Sequence, residues 1–294
     1  MSGVTRRGFL RGLLAATLAG LFAALYGFLI EPALRLRVRR WRVQRPGWPA
    51  PMRIAILSDL HMGAPHVTRD RLRQVVKRTN ALGADLIVVL GDLNASHPFV
   101  TASIPLSDTV SILADLAAPQ GVFAVLGNHD WWEDSMAQAR RSGPVEAALT
   151  LQAGGIPVLQ NETVELPGGV VLAGLGDQWA FKEGNGTYSG VDDLPGTLAQ
   201  IPDTAHAILL AHEPDIFTQV PARIALTLSG HTHGGQVRLF GWSPVVPSRY
   251  RNRFAYGHVH EDGRDLVVSG GIGCSILPVR LGVVPEITVV ELSA

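Results

Sequence analysis

The sequence predicts an α/β domain of two packed sheets flanked by helices, and three observations lead there. Short apolar runs alternate with helical patterns: "RIAILSD" (53–59), "DLIVVLGD" (85–92), "GVFAVLGNHD" (121–130), "HAILLAHE" (206–213) and "IALTLSGHTH" (224–233). Continuous aliphatic runs of this length are strands covered on both faces. Each run closes on polar residues, as in open α/β sheets that hold ligands at the carboxyl ends of their strands. Finally, 294 residues with 47% hydrophobic and 17% charged content can bury a full core.

Taken in chain order, the amino terminus comes first. Arg6, Arg7 and Arg11 precede an uncharged stretch from Gly12 to Ile30. At 1.5 Å per residue this stretch approaches the ~30 Å of a hydrocarbon core. Thr5-Arg6-Arg7-Gly8-Phe9-Leu10 resembles a twin-arginine export signal, which would make the export machinery a partner. No small-x-small site closes the apolar run, so residues 1–31 are expected to be an uncleaved anchor and 32–294 a folded domain outside the cytoplasm. Arg35, Arg37, Arg39, Arg40, Arg42 and Arg45 pull the other way under the positive-inside rule, and a cytoplasm-facing domain stays open. "LRLRVRRWRV" alternates apolar and basic residues with period two, which predicts a half-buried strand with a bulge at Arg39-Arg40. Its basic face suits either anionic head groups or a solvated sheet edge.

After the connector "QRPGWPAPM", the stretch "TRDRLRQVVKRTNAL" predicts a helix capped by Thr68, with Leu72, Val75, Val76 and Thr79 facing the core. Further helices are expected near Ser107, Pro144 and Pro214. "ETVELPGGVVLAGLGD", "DLVVSGG" and "EITVVEL" read as hairpin-like strands with Gly turns.

The formal charge of zero hides an asymmetry: nine of the 25 Lys and Arg lie in the first 46 residues beside one acid, Glu31. Beyond them stand 16 basic against 24 acidic residues, a formal −8. Such a surface excludes stable nucleic-acid binding, which needs a basic stripe, and any attraction for phosphate must be local, as from a metal ion. Cys274 is the single cysteine, which excludes an intramolecular disulfide and a thiolate zinc site. It reads as a small buried apolar residue.

The polar strand ends supply Asp59 and His61, two apart and so on one side of extended backbone. They also supply Asp92, the run Asn128, His129 and Asp130, then His212, and the pair His231 and His233. Singly, each reads as well as a helix cap or a satisfied core histidine. Gathered together without a cation, they would form a costly, partly unsatisfied pocket. Oxygen and nitrogen donors without thiolate suit Mn, Fe, Zn, Co or Ni. The glycines beside Asn128 and His231 are expected to let the backbone turn sharply enough for these side chains to converge.

The order D-x-H, G-D, G-N-H-D, H, G-H-x-H over residues 59–233 resembles the calcineurin-like metallophosphoesterase superfamily. Glu31-Pro32 and "LPVRLGVVPEITVVEL" resemble its twin-arginine-exported or membrane-anchored phosphodiesterase branch. The resemblance implies a four-layer α/β/β/α sandwich and two divalent metal ions. One ion would take Asp59, His61, Asp92 and His233, the second Asp92, Asn128, His212 and His231, with Asp92 bridging. His129 would face the leaving group as general acid, held by Asp130. Two divalent cations against two carboxylates and a bridging hydroxide leave about +1, which attracts phosphate to an acidic domain.

The expected function is hydrolysis of phosphate ester or pyrophosphate bonds by that hydroxide, most readily in a phosphodiester. The substrate stays open among a teichoic-type polymer, a phospholipid head group and a nucleotide-sugar lipid such as UDP-diacylglucosamine. The alternative is a membrane-tethered, metal-binding envelope scaffold without turnover. A metallo-β-lactamase-like site is disfavoured, because Gly234-Gly235-Gln236 follows His233 where H-x-H-x-D-H is needed. Trp131 and Trp132 read as core or as a stacking surface, His258 and His260 as a solvated pair, and Arg280 as a contact to phosphate or to an acid. Asn94 and Ser96, after the bridging Asp, leave specificity unread, and His66, His97 and His206 carry no spacing signal.

Overall fold

The computed structural model describes residues 5–294, and the first four residues of the predicted leader lie outside it. The chain opens with α1 (Arg6–Leu25), whose first turn is capped by the Thr5 hydroxyl accepting from the Gly8 N–H. None of its residues is buried, and the helical path continues to Leu34, long and apolar enough to cross a membrane or serve as a signal.

The domain that follows consists of β1 (Arg37–Gln44), β2 (Met52–Leu57), α2 (Arg69–Asn80), β3 (Leu86–Val89), α3 (Leu106–Leu113), β4 (Val122–Ala124), α4 (Asn128–Trp132), α5 (Glu146–Ala153), β5 (Glu162–Glu165), β6 (Val170–Gly174), α6 (Leu194–Ala199), β7 (His206–Leu210), β8 (Ile224–Ser229), β9 (Gly257–Glu261), β10 (Arg264–Val268) and β11 (Glu286–Ser293). Of the two large sheets, one runs β1-β11-β2-β3-β4 and the other β9-β10-β8-β7-β6-β5; two short two-stranded pairs accompany them. β2, β3 and β4 are mutually parallel, as are β6, β7, β8 and β10, so each group carries its loops at one end.

Strand alternation explains how a wholly apolar run serves two neighbours. In β2, Ile54 and Ile56 join Val88 of β3 in a cluster that also takes Ile208, Leu210, Leu226 and Leu228 from the second sheet. Ala55 and Leu57 turn the other way, to Leu72 and Val75 of α2, Leu113 of α3 and Leu151 of α5. On the far side of the second sheet, Ala207 and Leu209 pack with Leu194 of α6 and with Ile216. α2 buries Leu72, Val75, Val76 and Thr79 behind the Thr68 cap, as the spacing predicts.

Three expectations differ. "EITVVEL" forms no hairpin: as β11 it lies between β1 and β2, parallel to the first and antiparallel to the second. β1 pairs with β11 in unbroken register from Arg37 opposite Glu286 to Gln44 opposite Ser293, so Arg39-Arg40 forms no bulge. The arginines are accommodated without one: Arg37 pairs with Glu286 at 2.9 Å, Arg40 and Arg42 lie 3.5 and 3.3 Å from Glu291, and Arg39 covers the Trp41 ring. The segment at Pro214 is a short 3-10 turn, Pro214–Gln219, rather than an α-helix.

Leu228, fully buried between the sheets, sets the cost of a cavity there. Leu228→Ala is expected to remove about 2–5 kcal/mol in chemical denaturation of the detergent-solubilised chain. Thr68→Ala, which loses only a cap, is expected to remove about 1 kcal/mol.

Candidate metal centre

The loops after β2, β3, β4, β7 and β8 bring all seven predicted ligand residues to one end of the two sheets. Asp59, His61, Asp92 and His233 offer donor atoms that all lie within 4.8 Å of one another, and all four residues are buried. His61 Nε2 stands 3.2 Å from His233 Nε2 and 3.4 Å from Asp92 Oδ2, while His233 Nε2 is 3.4 Å from Asp59 Oδ1. Beside them, His212 Nε2 is 3.4 Å from the same Asp92 oxygen, and His231 Nδ1 is 2.8 Å from Asn128 Oδ1. Asp92 Oδ2 therefore faces both groups.

Local backbone makes this convergence possible. Asp59, His61, Asp92, His231 and His233 all adopt positive φ, between 40° and 65°. Left-handed backbone at non-glycine residues is uncommon and concentrates where function holds it in place. The expected role of the glycines holds at Gly234 and Gly235, which follow His233 at φ 61° and 77°, and is corrected at Gly127 and Gly230, which do not themselves make the sharp turn. Those two supply room: a Cβ on Gly127 would strike Asp92 Oδ1 and come within 2.7 Å of His212 Nε2, and one on Gly230 would lie 2.7 Å from Asp59 Oδ2.

The electrostatics follow from burial. Desolvation opposes ionisation of Asp92, yet His212, His129 and His61 around it hold its carboxyl well below the usual range. Asp59 is pushed up, chiefly by burial. Burial works against charge on His212 too, but Asp92 and Asp59 outweigh it and drive the imidazole well above its ordinary value. Burial, reinforced by His212, lowers His231 to about 3, and burial with His61 and Arg280 holds His233 well below its usual value. Neutral imidazoles are lone-pair donors.

The residues fit divalent metal ions. His212 Nε2 and His231 Nε2 are buried and lack hydrogen-bond partners, and two imidazole nitrogens facing each other at 3.2 Å need a cation or a proton between them. Histidine and carboxylate donors without sulfur match the metals expected from the sequence.

His129 sits at the edge of the cluster with its side chain 14% exposed. Its Nε2 is 3.2 Å from Ser275 Oγ and its Nδ1 3.3 Å from Ser96 Oγ. Burial pushes it down to about 4 against the pull of Asp92. Asp130 does not hold it. The Asp130 carboxylate accepts instead from the backbone N–H groups of Gly127, Asp92 and Leu93, each at 2.9 Å, and so ties the β3 loop to the β4 loop.

Several other residues resolve. Trp131 is core against Phe181, whereas Trp132 stacks on Tyr188, which stacks in turn on Trp179 at 4.6 Å. Arg280 forms no ion pair with an acid among the described residues. It is fully buried, donates to the carbonyls of Gly270, Gly273 and Val283, and lies 3.2 Å from His233 Nδ1. His258 and His260 both bond Asp265 Oδ1, at 2.7 and 2.9 Å, away from the centre. Cys274 is buried, and burial raises its thiol pKa.

Sequence reasoning missed Asp177, Trp179 and Glu213. Glu213 groups with His212 and His231 in metal-compatible geometry; burial raises the Asp177 carboxyl and Glu213 raises it further, whereas Glu213 itself is raised by burial and eased down by His212 and by its hydrogen bond with Asp177. The available signal was position: Glu213 follows His212 directly, and Asp177 ends the "GLGD" run after β6.

Fold and centre together define an α/β protein built to hold divalent cations. The family described as calcineurin-like phosphoesterase matches residues 52–262, and the chain belongs to that family. It is 31% identical over 311 residues to the uncharacterized metallophosphoesterase YkuE of Bacillus subtilis (strain 168), covering 100% of this chain and 99% of that protein. An uncharacterized metallophosphoesterase of Aquifex aeolicus (strain VF5) is 28% identical over 260 residues, 87% of this chain and 92% of the relative. A transmembrane protein with metallophosphoesterase domain from Danio rerio is 29% identical over 256 residues, 81% of this chain and 52% of its own length.

Gly127→Ala is expected to push a methyl group onto Asp92 and His212 and to lower the bound metal, measured by mass spectrometry after dialysis, to less than half of wild type. Gly20→Ala, in open space on α1, is expected to leave it unchanged.

Proposed function

We propose that the protein is a membrane-anchored, metal-dependent phosphodiesterase. The carrying observation is the convergence of Asp59, His61, Asp92, Asn128, His212, His231 and His233, from loops far apart in sequence, on one buried pocket with partnerless imidazole nitrogens. In this reading one ion takes Asp59, His61, Asp92 and His233, and the other Asp92, Asn128, His212 and His231. Two such ions supply Lewis-acid charge to a phosphoryl oxygen and an activated nucleophile from solvent.

The chain's own groups do the rest. Asp92, facing both sets, spaces them. His129 stands at the open edge of the pocket, where the negative charge of an arriving phosphate raises its low pKa and lets it protonate a leaving oxygen. Ser96 and Ser275, each within hydrogen-bond reach of one ring nitrogen, fix the orientation of that ring in place of Asp130. The stacked Trp132, Tyr188 and Trp179 form one wall for the group beyond the phosphate.

Residues 1–31 serve as the anchor in this proposal, delivered by the twin-arginine route, and residues 32–294 form the catalytic unit outside the cytoplasm. The length and apolarity of the first helix, and relatives whose names carry the word transmembrane, support membrane association. The clusters on both sides of each sheet support a four-layer α/β/β/α sandwich as the architecture. Among substrates, a lipid-linked phosphodiester or nucleotide-sugar-lipid pyrophosphate suits an enzyme tethered beside a bilayer.

Hydrolysis of bis(p-nitrophenyl) phosphate with added Mn²⁺ tests the reading. Wild type is expected to turn over, His129→Ala to lose about 10²–10⁴ in kcat with metal content retained, and Asp92→Ala to lose both metal and turnover. A wild type that binds metal but hydrolyses neither diester nor monoester would instead establish a scaffold.

A further inference from the structure

Beside Asp92, Asn128 and His129 opens a trough of about 430 Å³, walled by Trp132, Trp179, Tyr188, Val237, Val245 and Ile276. Two of its lining residues are bare, Ile276 at 75% exposed and Val245 at 73%, and the adjoining turn carries Phe240, completely exposed, and Trp242, 60% exposed. Phe240 and Gly241 form the two-residue tip of a turn closed by Leu239 N–H to Trp242 O at 2.9 Å and Trp242 N–H to Leu239 O at 3.0 Å. Both tip residues have positive φ, 51° and 82°, a turn that ordinarily takes Asn-Gly or Asp-Gly. Ile276, a β-branched residue, also sits at φ 55°. In water these residues combine two unfavourable features, a disfavoured backbone and an unshielded apolar side chain.

The turn is firmly attached to the first helix. Gln236 Nε2 donates to Leu277 O, Arg238 N–H to Leu281 O and Leu281 N–H to Gln236 O, so the hairpin and the 276–281 loop move as one. The Arg280 N–H then donates at 2.9 Å to Gly27 O, at the end of the apolar helix. Gly27 is buried against Val279, while Phe28, Leu29 and Leu34 around it remain exposed. A backbone hydrogen bond thus links the apolar helix, with its exposed Phe28 and Leu29, to the loop that carries exposed Ile276 and Leu277 at the trough.

We infer that the Phe240–Trp242 tip and the Ile276–Leu277 loop are a bilayer-docking surface that seats the mouth of the centre on the membrane. The trough then opens toward the acyl chains, and the substrate class it fits is a lipid phosphoester drawn from the bilayer with its chain in the trough and its phosphate at the centre. This deepens the anchored-phosphodiesterase reading and rests on it. The tie to an apolar helix favours a bilayer over a protein partner, as does the form of the surface: protruding aromatic tips suit the membrane interface.

The test uses the full chain in phospholipid nanodiscs. Phe240→Cys, labelled with an environment-sensitive fluorophore, is compared with Asp203→Cys, whose native side chain is 94% exposed near the amino end of β7, at the opposite pole; the native Cys274 is buried and takes no label. Emission at position 240 is expected to shift to the blue and to be quenched by nitroxide lipids, while position 203 shows neither. A water-like signal at 240, or one that changes only with chain concentration, overturns the proposal in favour of solvent or a second copy.

Independently, Phe240→Glu combined with Trp242→Glu is expected to slow hydrolysis of a vesicle-borne lipid phosphodiester about tenfold. Turnover of bis(p-nitrophenyl) phosphate is expected to stay within about twofold. Equal effects on the two substrates overturn the proposal. Should wild type hydrolyse neither, the phosphodiesterase reading fails, and the fluorophore still decides the docking.

Discussion

Two carboxylates pressed among imidazoles, where solvent scarcely reaches, are the constraint to which the rest of this protein is fitted. Asp59 and His212 are almost completely shielded from water, and Asp92 is held as an anion by the histidines around it. A buried negative charge without compensation is among the costliest features a fold can carry. The cluster is therefore coherent only as a receptor for positive charge. The rigid sheets on either side keep its members from moving apart to find water.

That rigidity has a local counterpart in strained backbone. Five of the seven clustered residues occupy the left-handed region, all within the few residues that follow a regular strand. Strain of this kind persists only when surrounding packing over-determines it. Here the strands behind the ligands are buried on both faces, and the neighbouring loops are cross-tied by the Asp130 carboxylate. A residue expected to serve chemistry thus serves architecture, and two serines stand where it was expected.

Much of the fold and most of the centre could be read from the chain. Five apolar runs became five strands, and α2 buried the four residues its spacing selects, because periodicity reports burial directly. The cluster was visible because its carboxylate and imidazole residues all stand just past strand ends. What stayed hidden depends on distances that no pattern encodes. Asp130 sits next to His129 in sequence, yet a five-residue helix turns its carboxylate toward three backbone N–H groups. Arg280 gave no hint that its charge would be absorbed by carbonyls. Glu213 and Asp177 meet only because the loops after β6 and β7 lie side by side. The bulge expected in β1 came from treating a double arginine as a break in alternation, whereas ion pairing and stacking on Trp41 accommodate it in regular register.

Arg280 joins two regions that otherwise look unrelated. Its main-chain N–H bonds the leading helical path at Gly27, just beyond α1, while its guanidinium lies against His233 and the carbonyls beneath it. A signal peptidase that removed the leader would strip away a structural neighbour of the metal pocket along with the tether. One buried residue bonds both the leading helix and the histidine cluster.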